Sequence, residues 1–447
     1  MVSYLVLLLF AVILAVSLFG KIPQRFFCVL LVTVLIPPCV AFTKSPAISP
    51  HHILLYSFFF LAFLESFEKF KDSFLAFPLK FPLLLLAVSL FSTAIFCGEG
   101  VKGVYNAFRY FMENYSYLFL AFICGLFYKE INLWNKLFWP IIVIGLLGLF
   151  ELAYGDNVFF RIISKAFPIY DGYLDLDSVL SMSRSYRTRI FITTQHPSAL
   201  GAMTCCFILA LTTQVKNLEW SKIKKIVAFG SLGLILLLSG SRSGLLCCLL
   251  CLALMLFGRL PAALKIVIAG FACFLLIFSV SKVVDRFSEE GQGSTISMRQ
   301  EQLLYSYVYF MKSPVLGNGV RYTSKNVMER DTYNDRVTDT SIGGLESVLF
   351  YQLIDYGILG LFSYFLLFVC ALIYFFRRRN IEFAKTGFFV MFSFLIFAIL
   401  SGEIGGNNVL AYLLAGFCMG AVHKQESETE EIDAEEQEQI TDDRNEK

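Results

Sequence analysis

The chain has 447 residues, of which 57% are hydrophobic, 16% aromatic and 16% charged, with 48 Phe and a mean hydropathy of +0.67. Soluble domains carry about 25% charged residues, so this composition excludes a water-soluble enzyme and describes a polytopic membrane protein. The net charge of +2 averages two unlike regions: residues 424–447 hold 11 Asp and Glu against 3 Lys and Arg, and the remainder is basic.

A spanning helix takes about 20 apolar residues, and thirteen apolar runs stand out. In chain order they are Tyr4–Phe19, Phe26–Phe42, Ile53–Leu64, Pro82–Cys97, Tyr117–Tyr128, Leu137–Tyr154, Pro197–Leu211, Ile226–Leu238, Leu245–Phe257, Leu264–Val280, Ile358–Phe376, Gly387–Leu400 and Val409–Val422. Several are short, so 12 or 13 spans are expected. The first has no basic residue before Lys21, unlike a cleaved signal peptide, and is expected to stay as a span.

Lys and Arg set the orientation. The connections 21–25, 65–81, 129–136, 215–225, 259–265 and 377–385 hold 17 of them, whereas 43–52, 98–115, 239–244 and 401–408 hold 4. Basic residues are retained on the cytoplasmic side, so the first set lies inside. Alternation then places two long connections, 155–196 and 281–347, outside, and the acidic segment 423–447 inside. That segment is too polar to bury a core and is expected to be a disordered cytoplasmic tail after a membrane domain of residues 1–422.

The twelve Cys fall inside or at the edges of apolar runs, and neither long loop contains one. They read as buried small side chains rather than a disulfide framework or a metal site.

The chemistry-bearing residues lie outside. The first long loop carries Arg184, Arg187 and Arg189, then His196 at the membrane entry. In the second, Arg299 opens a segment, 297–312, whose apolar positions Leu303, Leu304, Val308 and Met311 predict an amphipathic helix, ended by Pro314 and the Gly317-Asn318-Gly319 turn. Between two apolar runs sits Ser239-Gly240-Ser241-Arg242-Ser243-Gly244, and an arginine at such a depth either reaches the headgroups or pairs with an anion. Guanidinium groups fit phosphate oxygens bidentately, so arginines gathered on one face favour a phosphorylated or diphosphorylated ligand. No Gly-rich nucleotide loop, paired-His motif or Asp-x-Asp pair accompanies them, so neither a cofactor nor a metal is expected. Glu346 and Asp355 flank the entry to the next span, where a low-dielectric boundary suits a general acid or base; a helix-start acid facing the dipole is the alternative for Glu346. Tyrosines in both loops, Tyr305 among them, offer faces to sugar rings, although tyrosines also anchor membrane interfaces.

These motifs, in this order, resemble the O-antigen polymerase and O-antigen ligase superfamily. The resemblance rests on Gln195-His196-Pro197-Ser198-Ala199-Leu200-Gly201, the Ser239 to Gly244 turn, Arg299, Ser313-Pro314-Val315-Leu316-Gly317-Asn318-Gly319 and Tyr356-Gly357-Ile358-Leu359-Gly360-Leu361, across residues 185 to 365. It implies a GT-C-like all-helical membrane glycosyltransferase in the bacterial cytoplasmic (inner) membrane, with two long extracytoplasmic loops. An acceptor sugar hydroxyl would attack the anomeric carbon of an undecaprenyl-diphosphate-linked glycan, building O-antigen, capsule or exopolysaccharide. By position, Arg242 and Arg299 would stabilise the leaving diphosphate and Glu346 would be the base. Arg184, Arg187, Arg189, His196 and Tyr305 would bind substrate. Ligases resemble one another in having a His where this chain has Glu346, which favours the repeat-unit polymerase over transfer to the lipid A core. A transporter of lipid-linked glycans is a further alternative, disfavoured by the lack of an internal repeat. Besides the lipid bilayer and lipid-linked glycans, the implied partners are a chain-length regulator and a flippase of the same pathway, with no role for nucleic acid.

Overall fold

A computed structural model of the protein describes residues 2–44, 47–98, 100–169, 189–259, 295–324, 347–402 and 406–445. Its helices, in chain order, are α1 (Val2–Phe19), α2 (Ile22–Leu35), α3 (Pro50–Glu65), α4 (Phe67–Ala76), α5 (Lys80–Phe96), α6 (Gly100–Asn114), α7 (Ser116–Gly125), α8 (Tyr128–Ile131), α9 (Leu133–Lys136), α10 (Phe138–Tyr154), α11 (Val158–Ala166), α12 (Pro197–Thr213), α13 (Lys222–Leu238), α14 (Arg242–Arg259), α15 (Thr295–Phe310), α16 (Val348–Arg377), α17 (Glu382–Ser401) and α18 (Asn407–Asn445). Among the described residues the only strands are the two-residue pair Thr43–Lys44 and Ala47–Ile48. The protein is an all-α polytopic membrane protein.

Twelve of the thirteen expected spans coincide with helices, and the remaining one, Leu264–Val280, lies outside the described residues. Within the described residues three segments are individually long and apolar enough to cross a bilayer: Tyr128–Tyr154, Val348–Arg377 and Glu382–Ser401. A further pair, α4 and α5, bends by 96° at Phe77-Pro78-Leu79, and α1, α2, α12 and α14 are shorter apolar helices. The second run is expected to continue to Phe42, but α2 stops at Leu35 because Pro37 and Pro38 follow.

The centre of the bundle is α18 against α7, whose ten residues are all buried. Small residues permit that approach: a Cβ on Gly416 or Gly420 would lie 2.3 Å from the Leu118 carbonyl oxygen or 2.1 Å from that of Phe122. The acidic segment expected to be disordered instead prolongs α18, which runs unbroken to Asn445. Helix already nucleated in the membrane propagates at little cost through good helix formers such as Glu, Gln and Ala. Two ion pairs hold its start, Arg378 Nε to Glu426 at 2.7 Å and Lys129 Nζ to Glu428 at 2.8 Å.

The expected helix at 297–312 is present as α15, followed by the turns through Gly319. Its apolar residues Leu303, Leu304, Val308 and Met311 face outward, while Gln302 and Ser306 are buried. The protein interior thus satisfies Gln302 and Ser306, and the apolar side chains are left on the surface.

Candidate functional site

A cavity of about 450 Å³ lies among the helix ends on the side that the basic residues mark as outer. Five separate outer connections contribute to its lining: Ser49, His51 and His52; Asn106, Arg109, Tyr110, Glu113 and Asn114; Thr193, Thr194 and Gln195; Arg321 and Ser324; Gly406 and Asn407. The start of α16 adds Tyr351, Gln352 and Asp355.

One wall is α6. Asn106, Arg109, Tyr110 and Glu113 recur at helical spacing and line the cavity, while Val101, Val104, Tyr105 and Phe108 on other faces are exposed. Arg109 Nε donates to Glu113 Oε1 at 2.5 Å, and His52 Nε2 lies 3.1 Å from the same oxygen. The helix start at α3 orients that histidine. Ser49 Oγ accepts from the His52 N–H at 3.2 Å, and His52 Nδ1 accepts from the Ser49 N–H at 3.3 Å, a reciprocal capping box. With Nδ1 an acceptor, the proton of a neutral His52 sits on Nε2, the nitrogen nearer Glu113. His51 and His52 precede the apolar run Ile53–Leu64, and burial pushes them down to about 4 and about 3 respectively, so both are neutral at ordinary pH. Burial raises the Glu113 carboxyl above its usual range, against the downward pull of Arg109 and Arg321.

The opposite wall is built where two of the sequence motifs interlock. Helix α16 is broken at Gly357, with φ 65° and ψ −162°, which frees backbone groups on both sides. The loop after α15 satisfies them: the Asn318 and Gly319 N–H groups donate to the Ile354 and Asp355 carbonyls at 3.0 and 3.2 Å, and Ile358 and Leu359 donate to Pro314 and Val315 at 2.9 and 3.2 Å. Asn318 Nδ2 adds a bond to Ile354 at 2.8 Å, and α5 supports the loop through Thr93 Oγ1, which donates to the Leu316 carbonyl at 2.6 Å. Irregular backbone is tolerated at membrane depth where it is paired in this way beside a polar cavity. Just beyond the interlock Arg321 takes a left-handed φ of 56°, and Thr323 donates to Asp355 Oδ1 from its N–H at 2.7 Å and its hydroxyl at 2.5 Å.

A third wall comes from the end of the first long loop. Residues 190–192 are buried, and the Glu151 carboxylate of α10 accepts from the Phe191 and Ile192 N–H groups at 3.1 and 2.8 Å. Asn157 Nδ2 donates to the Ile192 carbonyl at 2.9 Å. These contacts place Thr193, Thr194 and Gln195 on the cavity.

The residues singled out in the sequence are dispersed around this cavity. Arg189 clasps the Ser239 to Gly244 turn, donating to the Ser239 and Gly240 carbonyls at 2.9 and 3.0 Å. His196 caps α12, its Nδ1 accepting from the Ser198 N–H at 3.1 Å. Arg242 begins α14 and is exposed, and Tyr305 on α15 is 38% exposed. None of these four lines the cavity, whereas Asp355 does. Arg299 lies in α15, while its side chain, like Arg184, Arg187 and Glu346, is outside the described residues. The cavity groups that sequence reasoning passed over are Arg109, Glu113, His51, His52 and Arg321. A signal for the first two existed: Asn106-x-x-Arg109-Tyr110-x-x-Glu113 is a polar stripe at helical period inside a segment read as a connection.

Fold and site together define a multi-pass helical membrane protein with a polar, arginine-bearing cavity among its outer helix ends. Residues 227–365 match the family model described as O-antigen ligase, so this part of the chain is similar to the O-antigen polymerase and ligase superfamily. Members of this family are membrane glycosyltransferase-like enzymes of the ligase and polymerase type. No curated protein matches the chain.

Proposed function

We propose that this protein polymerises undecaprenyl-diphosphate-linked oligosaccharide repeat units into a surface polysaccharide, on the outer face of the bacterial cytoplasmic membrane. The observation that carries this reading is the cavity, which sets Arg109 and Arg321 among hydroxyl and amide side chains on the outer side of a chain with the family match. A glycosyl transfer from a lipid diphosphate needs cations where charge grows on the leaving phosphate, and fixed donors there are worth several kcal/mol. Arg109 and Arg321 supply such charge, while Asn106, Asn114, Gln195, Gln352 and Asn407 offer amide groups to sugar hydroxyls. From the sequence, Arg242 and Arg299 are the further candidates for the leaving diphosphate, and Arg184, Arg187, Arg189, His196 and Tyr305 the further candidates for binding substrate. A chain-length regulator and a flippase are the proposed partners.

The ligase reading has its own support in the description of the matching family, while Glu346 in place of a histidine favours the polymerase. Deleting the gene separates them. Loss of a polymerase leaves surface glycan with a single repeat, and loss of a ligase leaves polymer on the polyprenyl carrier. An unchanged banding pattern of surface polysaccharide would refute both.

A further inference from the structure

The interior of the cavity holds a carboxylate with an ordered support. Glu113 lines the cavity with its side chain 15% exposed; Arg109 Nε donates to its Oε1, and His52 Nε2 lies 3.1 Å from the same oxygen. His52 is fixed in its donating tautomer by the capping box at the start of α3, and Arg109 sits one helical turn before Glu113. Oε1 is thus occupied and Oε2 is the oxygen available to a ligand. Asp355, the other cavity carboxylate, is fixed in the interlocked wall, where its Oδ1 accepts twice from Thr323 and its backbone carbonyl accepts from Gly319. We propose that Glu113 is the general base of the glycosyl transfer, taking the proton of the attacking sugar hydroxyl on Oε2, with His52 and Arg109 as positioning residues.

This assignment rests on the polymerase reading. In the step, the acceptor oxygen forms a bond to the anomeric carbon of the donor, and the bond from that carbon to the phosphate oxygen breaks. Its electron pair leaves with undecaprenyl diphosphate, which Arg321 faces as a cation. The hydroxyl proton passes to Glu113, which returns it to water in the cavity before the next cycle. Burial raises the affinity of Glu113 for that proton, against the downward pull of Arg109 and Arg321. The charged and titratable groups facing it are Arg109 and Tyr110 on α6, His51, His52 and Tyr56 on α3, and Arg321 and Asp355 on the interlocked wall.

The test uses the full-length protein in liposomes, fed with lipid-linked repeat units extracted from cells lacking the gene, with elongation followed by gel banding. For Glu113→Gln the expected result is a fall in elongation rate of at least about 100-fold, the size of a lost general base. Half-saturation by the lipid-linked units should stay within about threefold, as expected when only a transition-state interaction is removed. The acid limb expected in the wild-type pH–rate profile should disappear in Glu113→Gln and shift in Glu113→Asp. Elongation by Glu113→Gln at half the wild-type rate or better, or an acid limb that persists in it, overturns the assignment while leaving the polymerase reading intact. If the wild type itself does not elongate, the polymerase reading fails and the assignment with it. Should Glu113→Gln not fold, His52→Gln reads the same base: the acid limb is expected to move, and an unmoved limb overturns the proposal.

Discussion

Replacing Gly357 by alanine tests the interlock on which one wall of the cavity depends. The residue has φ 65° and ψ −162°, a region nearly confined to glycine, where a side chain costs of order 1–3 kcal/mol. A Cβ there would also lie 2.5 Å from the Val315 carbonyl oxygen, and that atom is backbone, already accepting from Leu359 at 3.2 Å. Relief therefore requires the 313–319 loop to back away, which strains the bonds from Ile358 and Leu359, each worth about 0.5–1.5 kcal/mol net. Strain and two weakened bonds together amount to roughly 2–6 kcal/mol. The loss should be visible as earlier unfolding of Gly357→Ala in detergent, followed by size-exclusion chromatography after graded heating. Because Arg321, Thr323 and Asp355 hang on the same loop and break, elongation should fall as well, even at temperatures where the variant stays folded. A Gly357→Ala protein with wild-type heat resistance and full polymer length would sink the claim that the two motifs hold each other.

Other expectations concern the remaining walls. Arg321→Ala and Arg109→Ala should each lower elongation by about 10- to 150-fold, the value of one hydrogen bond between charged partners of roughly 1.5–3 kcal/mol, and gels of surface polysaccharide would show shorter ladders; full-length ladders from both variants would remove these arginines from the site. Glu151→Ala should destabilise the protein by about 1.5–3 kcal/mol per lost bond to Phe191 and Ile192, with Glu151→Gln milder because it keeps an acceptor, and limited proteolysis of the 189–196 segment would report the release. The histidines give a pH dependence. Their folded values, about 4 for His51 and about 3 for His52, lie below the unfolded 6.5, so the unfolded chain takes up protons first and stability present above pH 6.5 is lost as the pH falls toward those values. Each contributes up to about 1.4 kcal/mol per pH unit in that window. Glu113, whose proton affinity is raised, acts in the opposite sense, so the histidine effect is read as the difference between wild type and His51→Gln in melting from pH 7.5 to about 5.5. Equal acid sensitivity of the two would contradict a buried neutral His51.

Periodicity and charge made the bundle legible before any coordinates. Twelve apolar runs became helices, and the placement of Lys and Arg put His52, Glu113, Gln195, Arg321 and Asn407 on one side, where the cavity is found. The motifs from Ser313 to Gly319 and from Tyr356 to Leu361 were visible as motifs, but their mutual contact was not, because strings of glycine carry no record of which carbonyl each must admit. The site was harder to read for a related reason. Arginine density drew attention to loop residues such as Arg189, whose fork is spent on two turn carbonyls, whereas Arg109 lay in a segment that looked like a mere link between spans. In a bilayer protein an amphipathic helix can turn its polar stripe inward, and α6 and α15 both do so, which inverts the pattern familiar from soluble domains. The acidic end was misjudged because composition describes an isolated segment, not one grown from the end of a helix already in place.

The span of the family match, residues 227–365, divides the cavity unevenly. Arg321, Tyr351, Gln352 and Asp355 fall within it, whereas His51, His52, Arg109, Glu113 and Thr193 to Gln195 are encoded elsewhere. The enclosure is thus a composite of a familial half and a half drawn from remote stretches of the chain. Exchanging residues 33–117 with those of another superfamily member would graft one half onto the other, and a hybrid of that kind would reveal which half reads the sugar and which half grips the carrier.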